Sequence, residues 1–155
     1  ACGDFNWMRM VVPQLDIEYQ GFDIVDRVIE QNIAKYSNEN IHFAVLDICG
    51  DKLPDCDVLM VRDCLFHLSF HDIDNFLTNL SQTNYKFLLT TTHNLKNSHI
   101  NMDIVSGDFR HIDLFREPFN FKKDDIIESF NDWIEGFTER DMILIEKKNV
   151  PKNLN

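Results

Sequence analysis

Ala-Cys-Gly-Asp-Phe-Asn-Trp (Ala1 to Trp7) and Tyr-Gln-Gly-Phe-Asp-Ile (Tyr19 to Ile24) form the stretch from which the rest of the chain is read. A tight glycine turn comes first, and a short helical run follows. An extended apolar segment then ends in an acid, Asp23, 20 residues after Gly3. Glycine lets a backbone approach a ligand closely, a helix N-terminus offers unpaired N–H groups, and a carboxylate at the next strand end grips ribose hydroxyls. The order therefore suits an adenosine-containing cofactor. Ala-Cys-Gly-Asp-Phe alone carries little, and Asp23 at this interval gives it weight.

Working outward, Phe5 to Val12 reads as a short helix stopped by Pro13, with Phe5, Met8 and Val12 on one face. Ile17 to Phe22 reads as a strand, and Asp26 to Lys35 as a helix with Val28, Ile29 and Ile33 inward. Ile41 to Leu46 is a strand ending at Asp47. Val58 to Val61 is a continuous apolar run, as in a strand buried on both faces. Ser69 caps a helix over Phe70 to Leu80, with Asp72 in the first turn. Tyr85 to Thr91 is another buried strand. The polar segment from Thr92 to Glu117 is too long for a plain connection and predicts a functional lid or a partly structured loop. Ile126 to Phe130 and Met142 to Glu146 form a closing antiparallel pair, and Asn149 to Asn155 a frayed tail. Strands alternating with helices predict an α/β fold, a mostly parallel sheet with helices on both faces.

The length of 155 residues predicts one domain, taken here as 1–148. With 26 acids against 15 bases, net charge −11, the surface repels phosphate backbones and disfavours a nucleic-acid partner. No apolar run reaches spanning length, so no membrane role is expected. Cys2, Cys49, Cys56 and Cys64 show no CxxC spacing. That predicts reduced thiols in a cytoplasmic protein and no metal centre. The chain opens inside a turn motif with no strand ahead of it, from which we expect an upstream first strand to be missing.

Ligands in open α/β sheets lie beyond the carboxyl ends of the strands. Standing there are Cys2, Gly3 and Asp4; Asp23 and Ile24; Asp47 and Ile48; Arg62, Asp63 and His67; and Thr91, Thr92 and His93. Each Asp alone commonly caps a helix; three at successive strand ends favour a cofactor site.

The runs Ala-Cys-Gly-Asp-Phe-Asn-Trp, Gly-Phe-Asp-Ile-Val, Leu-Asp-Ile and Val-Arg-Asp-Cys-Leu-Phe-His-Leu-Ser, in this order, resemble the class I S-adenosylmethionine-dependent methyltransferases from Ala1 to about Glu146. The resemblance implies a Rossmann-like fold, S-adenosylmethionine as cofactor and a small-molecule acceptor. It implies that Cys2, Gly3 and Asp4 turn beside the methionyl part. Asp23 would bind the ribose with Ile24 against the adenine, and Asp47 would accept the adenine amino group with Ile48 nearby. Arg62 and Asp63 would line the methionyl floor, and His67 would stand at the substrate opening. Two departures are visible. Only Gly3 of the family's three turn glycines is clear, with Ala1 at the first position and Phe5 near the third. The family's first, central strand is absent.

Methyl transfer needs alignment above all, and a base only for a weakly acidic acceptor. Candidate bases are His67, Asp63 and His93; Arg110 is a candidate for an anionic group on the acceptor. Competing readings are a packed histidine at a helix entry for His67, a loop residue for His93, a structural ion pair for Arg62–Asp63 and a solvated loop for Arg110. His71 reads as surface, and Trp7 and Trp133 as core or rim aromatics. Two other functions stay open: a catalytically inactive methyltransferase-like module working through protein contacts, and a nicotinamide-dependent oxidoreductase, which lacks its second signature and a Tyr-x-x-x-Lys pair here.

Overall fold

The structure is a computed structural model that describes residues 1–96 and 98–154. The chain divides into two compact units, Ala1–Asp47 and Ile48–Asn155.

In the first unit, the helix α1 (Met8–Val11) runs into a 3-10 turn over Val12–Gln14 rather than stopping at Pro13. Proline lacks the N–H that a first helical turn leaves unpaired anyway, so it starts the turn instead of breaking it. Strand β1 (Tyr19–Asp23) pairs in parallel with β2 (Ile41–Val45), with Asp23 opposite Val45. Helix α2 (Asp26–Tyr36) connects them. Its buried positions are Ile29 and Asn32, with Tyr36 half-buried, and Ile33 is 48% exposed. The stripe therefore runs 29, 32, 36, a helical spacing that carries an amide where the apolar count placed Ile33.

The second unit is a four-stranded sheet. β3 (Cys56–Val61) is parallel to β4 (Tyr85–His93); β6 (Arg140–Glu146) is antiparallel to β4 and lies between it and β5 (Ile126–Asn131). The two parallel pairs and the closing antiparallel pair agree with the expected α/β class. β3 is not buried on both faces, because Val58 is 50% exposed. β4 extends two residues past Thr91, since Thr92 and His93 pair with Asp141 and Arg140 of β6.

Helix α3 (Phe70–Gln82) begins as the sequence requires: Ser69 Oγ accepts from Asp72 N at 3.1 Å. Ile73, Phe76, Leu77 and Leu80 form its buried stripe, each side chain contributing about 1.5–3 kcal/mol by leaving water. Ser69→Ala is expected to lower stability by about 1 kcal/mol, read as a shifted urea midpoint with an unchanged slope.

Residues 98–125 form a partly structured, packed loop. Ile112, Leu114, Phe119 and Phe121 are core residues. Backbone polarity is satisfied locally: the buried Asn101 amide donates to the carbonyls of Asp113 and Glu117 and accepts from Asp113 N, and Thr92 Oγ1 accepts from Leu114 N at 3.0 Å. Its earlier part still exposes Ile100, Met102, Val105 and Phe109. The expected frayed tail is pinned at two points, by burial of Val150 and by Leu154 N donating to Asp74 Oδ1 at 2.7 Å.

Candidate functional site

The first unit builds a clasp around its glycine turn. Gly3 sits at φ 54°, in the left-handed region that glycine enters without penalty. Its N–H donates to Asp23 Oδ2 at 3.0 Å, and its carbonyl accepts from Asn32 Nδ2 at 2.7 Å. Asp23 Oδ1 accepts from Val25 N at 3.2 Å, and Cys2 N donates to Phe22 O at 2.7 Å. The turn is thus tied to the end of β1 by carboxylate and backbone, and to α2 by an amide. Phe5 also has a left-handed backbone, φ 57°, which costs a non-glycine residue about 1–2 kcal/mol. Its ring is fully buried against Tyr19, Tyr36 and Phe43, at centroid distances of 5.0–5.4 Å, which offsets that strain.

Asp4 Oδ1 accepts from Asn6 N at 3.0 Å, an Asx turn leading into the helix. Leu46 N donates to Asp23 O at 3.0 Å, which holds the ends of β1 and β2 level, with the exposed Asp47 next in the chain. Ile24 is 67% exposed beside the clasp. Burial, with Asp23 close by, pushes the Cys2 thiol up to about 11, so it stays protonated at neutral pH. Asn32 went unseen in the sequence; an amide inside an otherwise apolar helical stripe was its only signal.

In the second unit Arg62 and Asp63 are half of a four-membered ion cluster. Arg62 Nε and Nη2 grip Asp132 side-on, at 3.1 and 3.0 Å. Arg140 Nη1 lies 2.9 Å from Asp63 Oδ1, and Arg140 Nε lies 3.3 Å from Asp132 Oδ2. Asp63 has φ 53°, a strained value for aspartate, and Thr91 Oγ1 accepts from its N–H at 2.9 Å. A carboxylate between two guanidiniums ties the strand ends together. Nothing local announced Asp132 or Arg140, because the pairing with Arg62 spans 70 residues. Ile48 belongs to this unit, where its carbonyl accepts from Asn79 Nδ2 at 2.9 Å.

His67 is exposed on the 3-10 turn Leu65–His67, and its Nδ1 lies 2.8 Å from Asp108 O. A carbonyl only accepts, so Nδ1 carries the proton and Nε2 keeps its lone pair. His93 is a buried strand residue rather than a loop residue, with 4% exposure and a ring centroid 4.8 Å from that of His111. Burial first, and then His111, lowers its pKa to about 4.

The unfolded chain binds that proton near pH 6.5 and the folded chain only near 4. Stability is therefore complete above 6.5 and falls as pH drops towards 4. The urea midpoint should fall between pH 7 and pH 5, and less so in His93→Asn. An equal fall in both proteins would assign the acid sensitivity to other groups.

Arg110 is 8% exposed, its Nη1 donates to Leu68 O at 2.6 Å and its Cζ lies 5.0 Å over the Phe70 ring. It is not part of a solvated loop. Trp7 and Trp133 are rim residues, at 41% and 46% exposure. Among the described residues no three His, Cys, Asp or Glu side chains are arranged to hold a metal ion, and no helix is long and apolar enough to cross a membrane.

No family profile and no curated protein matches this sequence. Solved structures do match. Human N-acetylserotonin methyltransferase, in complex with S-adenosylmethionine, aligns over 94% of this chain and 45% of its own, with TM-score 0.64 and 16% identity. A Leishmania major S-adenosylmethionine-dependent methyltransferase aligns over 93% of this chain and 61% of its own, with TM-score 0.70 and 9% identity. A pericyclic-reaction enzyme aligns over 94% of this chain and 41% of its own, with TM-score 0.66 and 9% identity. The chain spans roughly half the length of these proteins. The fold is that of the class I S-adenosylmethionine-dependent methyltransferases. The third neighbour shows that this fold is not confined to one reaction.

Proposed function

We propose that this protein is an S-adenosylmethionine-dependent methyltransferase acting on a small polar molecule. The clasp of Gly3 by Asp23 carries the proposal. Each carboxylate oxygen has room for two hydrogen bonds and spends one on the backbone, at Gly3 and at Val25. The second position on each is the one a ribose diol would take, at a carboxylate that is 9% exposed beside the glycine turn.

Ile24 offers an exposed apolar surface to an adenine ring, and Asp47 an acceptor for its amino group. Cys2, Gly3 and Asp4 would flank the methionyl part. A protonated Cys2 thiol is itself a weak nucleophile toward the methyl donor. S-adenosylmethionine supplies an electrophilic methyl group, and the protein's part is alignment and, for a hydroxyl acceptor, removal of its proton. His67 Nε2 suits that removal better than His93, which is shut in the core. Arg62 and Asp63 are assigned to support. Four cysteines without CxxC spacing accord with a cytoplasmic location.

Calorimetric titration with S-adenosylhomocysteine tests the reading. Saturable binding is expected; no heat at millimolar ligand would leave the alternative, a methyltransferase-like module acting through protein contacts. Quenching or enhancement of NADH fluorescence would instead promote the oxidoreductase reading. Substituting His67→Gln should reduce turnover while the homologue's affinity holds; undiminished turnover would remove His67 from the chemistry.

A further inference from the structure

The most buried guanidinium of the second unit is the one with no anionic partner. Arg62, Arg116 and Arg140 all reach carboxylates and are only partly buried. Arg110 is 8% exposed, and among the described residues no carboxylate stands at ion-pair distance from it. One flank donates through Nη1 to Leu68 O, and one face lies over Phe70, itself edge-on to the buried Phe119 at 5.6 Å. The other flank, Nε with Nη2, is buried and unbonded. Asp103 is the acid whose charge acts on Arg110, yet it makes no bond to this flank; buried polar groups are nearly always paired.

That empty flank has a defined complement. Arg62 shows it within the same unit: its Nε and Nη2 hold the two oxygens of Asp132. Two parallel N–H groups match two oxygens on one carbon. Asp103 Oδ1 accepts from Phe70 N at 2.7 Å and Ile104 N at 2.8 Å. One side of the guanidinium is aromatic, Phe70 backed by Phe119. Such a site accepts a singly charged planar anion at less desolvation cost than a dianionic phosphate.

We propose that the Nε–Nη2 flank of Arg110 binds the carboxylate of an acceptor whose body is aromatic or otherwise apolar. The word acceptor rests on the methyltransferase reading; the anion site does not. Because the flank is shut from solvent, the ligand reaches it only as the packing over it yields.

The probes are benzoate, its neutral counterpart benzamide, and phenyl phosphate, each titrated into the whole chain and followed by NMR shifts up to tens of millimolar. Benzoate is expected to saturate and to bind at least tenfold more tightly than benzamide. Arg110→Lys keeps the charge and loses the fork, so it should weaken benzoate at least tenfold while S-adenosylhomocysteine titrates as in the parent. The benzoate–benzamide comparison needs no variant, so a misfolded Arg110→Lys leaves the test intact. Benzoate binding no better than benzamide, equal binding to Arg110→Lys, or a tenfold preference for phenyl phosphate overturns the proposal. Failure of benzoate with normal S-adenosylhomocysteine binding sinks the carboxylate site alone. Failure of S-adenosylhomocysteine with normal benzoate binding sinks the methyltransferase reading alone.

Discussion

Asp23→Ala is expected to weaken S-adenosylhomocysteine binding by about 10- to 100-fold, a loss of charge-assisted hydrogen bonding of about 1.5–3 kcal/mol in all. Two effects combine. The ribose loses its carboxylate, and Gly3 N and Val25 N lose their acceptors at 3.0 and 3.2 Å, so the turn is no longer held in its left-handed bend. Asn32→Ala separates them. It frees the Gly3 carbonyl, now bonded at 2.7 Å, and leaves the carboxylate in place. If turn geometry dominates, both substitutions weaken binding alike; if ribose contact dominates, Asp23→Ala is the more severe. Affinity in Asp23→Ala equal to the parent would reduce Asp23 to a turn-holding residue and remove the main support for cofactor binding. Calorimetry at a single salt concentration suffices.

Gly21→Ala is expected to destabilise the protein by about 1–3 kcal/mol, the usual cost of forcing extra volume into a filled core. A Cβ at position 21 would stand 2.6 Å from Phe43 Cδ1, 2.8 Å from Phe43 Cε1 and 2.9 Å from Tyr19 Cε1. The Phe43 ring is 8% exposed and packs edge-on to Phe5 at 5.0 Å, so it has little room to swing. Phe5 itself holds the left-handed backbone after the glycine turn. The damage should therefore travel to the clasp, and cofactor affinity should fall together with stability. Chemical denaturation reads the first effect and calorimetry the second. A variant as stable as the parent would show that the aromatic cluster is looser than its distances indicate.

These two glycines mark different depths of legibility. Gly3 announced itself by its setting, a turn ahead of a helical run with an acid at the matching interval. Gly21 sits inside a strand, where nothing local says that Tyr19 and Phe43 converge on it; their rings meet only once β1 and β2 pair in register. The same division runs through the candidate site. His67 was placed near an opening and is exposed, and its usable nitrogen became known from Asp108, 41 residues away. His93 read as a polar loop residue because strand propensity fades after Thr91, yet pairing with Arg140 carries β4 through it and buries it. The 92–117 segment, too long and polar for a plain connection, reads as a lid or a partly structured loop. Asn101 and Asp113 bond across it while Ile112 and Leu114 enter the core.

Local chemistry was settled by the order of residues alone: the alternation of strand and helix, the Ser69 cap, the closing antiparallel pair, and the interval from Gly3 to Asp23. Those features depend on neighbours within a few positions, or on one turn and the next strand end. Only the folded chain decided which polar groups lose water and whom they meet. Asn32 against the glycine turn, Asp63 between two arginines and Arg110 with an unmet flank are outcomes of packing between distant segments. Burial sets both the cost of a charge and the worth of its partner, and burial is not a property of any residue until the chain closes around it.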